Sequence, residues 1–198
     1  MAGRPRAGGA GRVIAGSARG RQLAAPGEGT RPLGDRLKEA LFAILEPEIR
    51  DRPFLDLFAG SGAAGIEALS RGASTAVFVE RDAGALRTIA ANLEATRLSP
   101  AGVLVRGDAI PWLRQGGAGG PFAAILVDPP YDRPELLREA LEAIAAAGPG
   151  AVLATDGVAV AKHFGKAPVG AEIGLLRSVR ERTFGETTLT FLRWAEDR

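Results

Sequence analysis

From Pro53 onwards, short apolar runs and amphipathic stretches alternate along the chain. Residues 54–58, 75–80, 103–106, 122–127 and 151–155 read as strands, being brief apolar runs bounded by glycine, proline or charge. Between them, residues 63–71 and 82–96 read as helices, as does the stretch that begins at Pro134. Ala85, Leu86, Ile89 and Leu93 share a face of the second, and Leu137, Leu141 and Ile144 share a face of the third. A short helix is expected after Asp108. Upstream, Asp35 is placed to cap a helix over 35–45 whose Leu37, Leu41, Phe42 and Leu45 face one way. Alternating helices and apolar strands predict a parallel sheet covered on both faces, with ligands at the carboxyl ends of its strands.

Two segments depart from that rhythm. Residues 175–182 and 187–194 read as strands joined by a turn at Phe184, Gly185 and Glu186, so an antiparallel hairpin closes the sheet and brings it to seven strands. At the other end, 12–15 and 21–24 read as a small hairpin with an arginine-bearing turn. Residues 1–11 have nothing to bury and are expected to be a disordered tail. The predicted organisation is therefore a tail over 1–11, a hairpin and loop over 12–34, and an α/β domain over 35–198. Residues 115–120 read as a surface loop.

Composition narrows the chemistry. A chain of 198 residues with 46% hydrophobic content suits one domain. The lack of cysteine excludes disulfides, thiolate metal sites and cysteine nucleophiles. No apolar run approaches the roughly 20 residues that span a bilayer, and the start is rich in Gly, Arg and Pro, so a cytoplasmic protein is expected. Net charge is only +2, yet residues 1–34 hold six arginines against the single acid Glu28. A basic attachment on a nearly neutral domain predicts a nucleic-acid contact by Arg12, Arg19, Arg21 and Arg31. A solvated tail is the alternative.

Gly60-Ser61-Gly62-Ala63-Ala64-Gly65 follows a strand and opens a helix, which permits a tight turn and close approach of a ligand. Glu80, 20 residues beyond Gly60, ends the next strand, where its carboxylate can accept hydrogen bonds from a ribose diol. Those features suit a nicotinamide dehydrogenase equally well. Asp56, before the glycines, can face the ammonium group of S-adenosylmethionine, and Asp108 can accept from an adenine amino group unless it only caps the following helix. Phe58, Ser61, Arg81 and Ala109, bordering these on the same turns, complete the predicted donor site. The closing hairpin and the absence of a second domain favour a class I, Rossmann-like methyltransferase.

Asp128-Pro129-Pro130-Tyr131 ends the fourth strand, and its paired prolines impose a rigid extended turn. Amino groups on bases are poor nucleophiles because their lone pair is delocalised into the ring. An Asp128 oxygen and the Pro129 carbonyl can each accept one amino hydrogen and so aim the lone pair, while Tyr131 stacks on the base. Pro130 holds the turn. The nitrogen becomes acidic on methylation, so no strong base is required and no metal is expected. His163, the only histidine, reads as a packing or surface residue. Rival readings are a DNA adenine or protein glutamine methyltransferase and a non-catalytic RNA-binding assembly factor on the same scaffold.

Arg12 to Gly16 with Arg19-Gly20-Arg21, Thr30-Arg31-Pro32, Asp35 to Phe42, Asp56 to Gly62, Glu67 to Ala73, Asp128 to Tyr131 and Phe184 to Thr187 together resemble the RsmD-type small-subunit ribosomal RNA guanine-N2 methyltransferases of bacteria. The resemblance implies transfer of one methyl group from S-adenosylmethionine to N2 of a guanine in 16S ribosomal RNA, within the small subunit or its assembly intermediate, by a monomer. Leu33 and Ala43 depart from residues common in that family, threonine and asparagine.

Overall fold

The computed structural model describes residues 9–27, 33–165 and 169–195. Residues 1–8 of the predicted tail, and Thr30, Arg31 and Pro32, lie outside the described residues. In chain order the elements are β1 (Gly9–Arg12), β2 (Gln22–Ala24), α1 (Asp35–Ile49), β3 (Pro53–Leu57), α2 (Ala63–Ser70), β4 (Thr75–Glu80), α3 (Ala83–Thr96) and β5 (Gly102–Arg106). There follow α4 (Ala109–Arg114), β6 (Phe122–Val127), α5 (Glu135–Ala147), β7 (Leu153–Phe164), β8 (Glu172–Ile173), β9 (Leu176–Phe184) and β10 (Thr187–Trp194).

The main sheet runs β5-β4-β3-β6-β7-β10-β9-β8. Its first five strands are parallel, and β10 inserts antiparallel between β7 and β9. Every side chain of β6 is buried, as a strand covered on both faces requires. One core layer packs α1, α2 and α3 against Phe54, Phe78, Val160 and Phe191, while the other seats α4 and α5 on Leu55, Leu57, Ile125 and Val127. Strand order reverses between β3 and β6, which opens a crevice beyond their carboxyl ends.

Several boundaries differ from expectation. The sheet has eight strands rather than seven, because two residues of β8 pair with β9 at the edge. Gly9 to Gly11, assigned to the tail, form strand β1, since backbone pairing with β2 needs no side chain to bury. Asp35 is the first helical residue and not a cap; the cap position is Gly34, and the Asp35 carboxylate turns to Arg12 at 3.1 Å. Helix α1 continues through Pro47 to Ile49 because Leu45 and Ile49 are fully buried, and packing outweighs the hydrogen bond that proline removes. The strand expected over 151–155 is only the start of β7. Thr155 and Asp156 bulge outward, exposed, and the chain re-enters the sheet so that Val158 to Ala161 pair with Ala124 to Val127.

Although short, the N-terminal hairpin is docked by buried polar groups. Glu67, without exposed surface, accepts the Ile14 and Ala15 amides at 2.8 and 3.0 Å and Nε of Arg71 at 2.7 Å. Ser70 accepts the Ala18 amide at 2.9 Å and donates to the Ala15 carbonyl at 2.6 Å. Asn92 of α3 pairs with both backbone groups of Ala24. Lys38 of α1 is fully buried and donates to the Arg12 carbonyl; burial lowers its pKa against the pull of Glu67 and Asp35. At Gly16, which sits at φ +82°, a Cβ would lie 1.7 Å from the Ser70 carbonyl oxygen, so the approach admits only glycine.

Candidate active site

The turn between β3 and α2 is shaped by close packing. Gly62 adopts φ +74° at the N-terminus of α2, and a Cβ on Gly65 would lie 2.2 Å from the Phe78 ring. Helix α2 therefore seats directly on β4. Phe58 holds φ +66°, a left-handed conformation uncommon for a bulky residue, at the strand end where the chain turns into the crevice.

The crevice is a cavity of about 460 Å³. Asp56, Phe58, Gly60, Ser61, Glu80, Arg81, Asp108 and Ala109 line it, and so do Asp128, Pro129, Pro130 and Tyr131. Of the predicted donor residues, Gly62 lies off the wall, where it supports the turn from behind. Leu33, which departs from the family pattern, adds apolar surface to the wall, as do Ile110 and Leu136, which the sequence did not single out.

Three carboxylates on this wall have different commitments. Glu80 accepts the Gly60 amide at 2.9 Å and the Asp82 amide at 2.9 Å, one on each oxygen, which leaves a further lone pair on each. Asp56 is 3% exposed and accepts the Gly65 amide at 2.8 Å; burial pushes its pKa up to about 8 against that hydrogen bond, with Asp128 and Glu80 adding to the rise. Asp108 occupies the cap position of α4 but makes no capping hydrogen bond, so its carboxylate stays available to the cavity. A cation with a diol and an aromatic amine suits this donor set: a buried carboxylate for positive charge, Glu80 for hydroxyls, Asp108 for the amine, and glycines where the ligand passes close.

Opposite them, Asp128 has its side chain 19% exposed and faces a residue the sequence reading missed. Nζ of Lys162 donates to the two Asp128 oxygens at 2.7 and 2.9 Å and to the Tyr131 hydroxyl at 3.0 Å, and it lies 4.8 Å from the centroid of the Tyr131 ring. Burial alone would lower the Lys162 pKa, but the Asp128 charge and the two hydrogen bonds outweigh it and raise the value. Burial raises Asp128, and Lys162 opposes that rise. Two short contacts from one ammonium mark a charged pair, which holds Asp128 as an acceptor-only carboxylate. An ammonium-bearing residue directly after the apolar run Val158-Ala159-Val160-Ala161 was the available signal. It went unread because the strand was expected to end at Thr155.

Of the predicted RNA-contact arginines, Arg31 lies outside the described residues, and Arg12, Arg19 and Arg21 stand apart from the cavity. Arg12 pairs with Asp35, and Arg21 donates to the Ala95 carbonyl at 3.2 Å at the end of α3. Arg19 is exposed and has no ion pair among the described residues. His163 bridges Thr190 Oγ1 and the Phe164 carbonyl, each at 2.8 Å, a packing position.

Comparison with known proteins gives a consistent result. Residues 11–193 match the family described as conserved hypothetical protein 95. The chain is 38% identical over 178 residues to the Bacillus subtilis protein named "Putative rRNA methyltransferase YlbH", covering 89% of this chain and 95% of that protein. It is 43% identical over 123 residues to "Ribosomal RNA small subunit methyltransferase D" of Escherichia coli, covering 62% of this chain and 61% of that protein. The solved structure named "Putative methyltransferase yhhF from Escherichia coli" superposes with a TM-score of 0.83 at 31% identity, covering 96% of this chain and 100% of that one.

Proposed function

The chain belongs to the RsmD-type family described as conserved hypothetical protein 95, and from that membership and the cavity geometry we propose that it methylates the N2 amino group of a guanine in 16S ribosomal RNA, with S-adenosylmethionine as donor. The observation that carries this reading is the placement of Asp128 to Tyr131 across one cavity from the glycine turn, Glu80 and Asp108. Asp56, Phe58, Gly60, Ser61, Glu80, Arg81, Asp108 and Ala109 hold the donor, with Gly62 behind them. S-adenosylmethionine supplies an electrophilic methyl group on a sulfonium sulfur.

The chain's own residues prepare the nucleophile. Lys162 keeps Asp128 ionised and fixes both oxygens, each retaining a lone pair beyond its bond to the ammonium. Asp128 and the Pro129 carbonyl accept the two amino hydrogens, which turns the nitrogen lone pair out of conjugation and toward the methyl group. Tyr131, its hydroxyl tied by Lys162, presents a ring to the base. The methylated nitrogen then loses a proton to an Asp128 oxygen or to water, and the site needs no stronger base.

The substrate is the small ribosomal subunit or its assembly intermediate, contacted by Arg12, Arg19, Arg21 and Arg31, and the enzyme works in the cytoplasm as a monomer. The deciding experiment incubates purified protein with methyl-labelled donor and small subunits lacking base methylation, then maps the label by mass spectrometry. Label on a guanine N2 supports the reading; label on an adenine, on protein, or on nothing overturns it.

A further inference from the structure

Beyond the cavity mouth, the end of β7 carries a surface that the catalytic reading leaves unused. Phe164 is 44% exposed and packs against Tyr131, itself 46% exposed, with ring centroids 4.9 Å apart at an interplanar angle of 51°. Tyr131 belongs to the cavity wall, whereas Phe164 stands outside it.

Strand register places what lies next. Phe164 pairs with Thr187 of β10, and Thr187 with Phe184 of β9; one step inward along the strands, Lys162, Leu189 and Arg182 form the next row, followed by Val160, Phe191 and Arg180. Residues directly opposite in antiparallel strands share a face. Phe164, Phe184, Arg182 and Arg180 therefore stand on the face that carries Lys162. Arg180 and Arg182 are exposed and have no acidic partner among the described residues, since Arg182 reaches only the neighbouring Glu181 carbonyl and the Glu181 carboxylate accepts from Thr190 on the opposite face. With strands about 4.8 Å apart, Arg182 lies roughly 10 Å across the sheet from Lys162.

We propose that this aromatic and arginine strip binds the single-stranded RNA next to the target base, with a neighbouring base stacked on Phe164 and the backbone phosphates led past half-buried Thr187 and Phe184 at the strand ends, clear of buried Leu189 and Phe191, to Arg182 and Arg180 on the outer strand β9. The inference rests on the reading that the substrate is RNA. An exposed ring gives a sequence-tolerant platform, and unpaired guanidinium groups give phosphate contacts. The strip belongs to β7, β9 and β10 and shares no residue with the N-terminal arginines, so it adds a second basic contact for the substrate.

The test is fluorescence anisotropy with a labelled single-stranded oligoribonucleotide containing guanine, over a range of salt. Phe164→Ala, Phe164→Tyr, the double variant Arg180→Ala/Arg182→Ala and the control Arg138→Ala on α5 are compared at matched melting temperatures. Phe164→Ala weakens binding about tenfold and Phe164→Tyr restores it. The double variant lowers the slope of log K against log salt by about 1.4. Arg138→Ala binds like the wild type, and all four bind S-adenosylmethionine equally. Affinities within twofold of wild type for Phe164→Ala, or a slope lowered by less than about 0.7 in the double variant, overturn the proposal, as does wild-type protein that binds no single-stranded RNA. Weaker binding to subunits without weaker binding to naked RNA overturns it too, and assigns the strip to a ribosomal protein. Loss of RNA binding in the variants, beside a wild type that transfers no methyl group to RNA, upholds the strip and sinks the catalytic reading.

Discussion

Lys162 donates to both oxygens of Asp128 from the neighbouring strand, 34 positions away in sequence, and opposes the rise in the Asp128 pKa that burial causes. Removing the ammonium leaves Asp128 with burial alone acting on it, and burial raises its pKa. The wild-type rate falls on acidification as Asp128 takes up a proton. In Lys162→Met the midpoint of that fall moves to higher pH, so activity lost near neutrality returns as the medium is made alkaline. Single-turnover rates measured from pH 6 to 10 check this, and an unshifted midpoint would deny Lys162 that role.

Asp128→Ala lowers methyl transfer on the order of 10²–10³-fold, in line with loss of one aligned hydrogen-bonding group at a reacting centre. Donor binding stays within a few-fold, because the aspartate faces the base. Calorimetric titration with S-adenosylmethionine separates the two effects, and equal loss of both would reassign Asp128 to the donor.

Asp56 gives the ligand-free protein a pH dependence of known sign. Its folded pKa of about 8 lies above the ordinary 3.8, so the folded state holds the extra proton and stability declines as pH rises from about 4 towards 8. A cationic donor favours the ionised form, so binding releases a proton and tightens towards pH 8. Titrations in buffers of different ionisation enthalpy read that release directly. Asp56→Asn can still accept the Gly65 amide, abolishes the release and weakens donor binding roughly tenfold.

Glu67→Ala leaves the Arg71 guanidinium, 7% exposed, with Glu46 as its one carboxylate partner among the described residues and strips the hairpin of two hydrogen bonds. The expected loss of stability is about 3 kcal/mol, with faster amide exchange at Ile14 and Ala15. Denaturant melts and exchange measurements report both.

Arg19→Ala lowers the salt slope of RNA binding by just under one, since the side chain has no ion-pair partner to lose among the described residues. Arg21→Ala lowers it less, because that guanidinium already serves the end of α3. A slope unaltered by either change would make the hairpin a structural part only.

Sequence reading recovered the elements whose side chains alternate or recur: β6 matches residue for residue, and the β9–β10 turn falls where Gly185 stands. The main chain needs no side-chain pattern to form β1, β8 or the bulge in β7, and those are what it missed. The runs proposed for donor and base could be placed on one cavity wall because they are short, consecutive and next to strand ends. Lys162 was not, since its meaning arises only when β7 lies beside β6 and brings it to Asp128. Likewise Glu67 to Arg71 could be recognised as a family stretch, yet only the folded chain explains it, as the socket into which the hairpin plugs.

Helix α2, eight residues and about 12 Å long, carries the glycine turn at its start and the hairpin socket, Glu67 and Ser70, in its second half. Its seat on Phe78 leaves no slack for a Cβ, and two turns of helix are too short to bend. On the proposed reading, the part that meets the substrate and the part that cradles the donor are thus the two ends of one short strut, so that a displacement of the hairpin on binding shifts the loop at Gly60 with it.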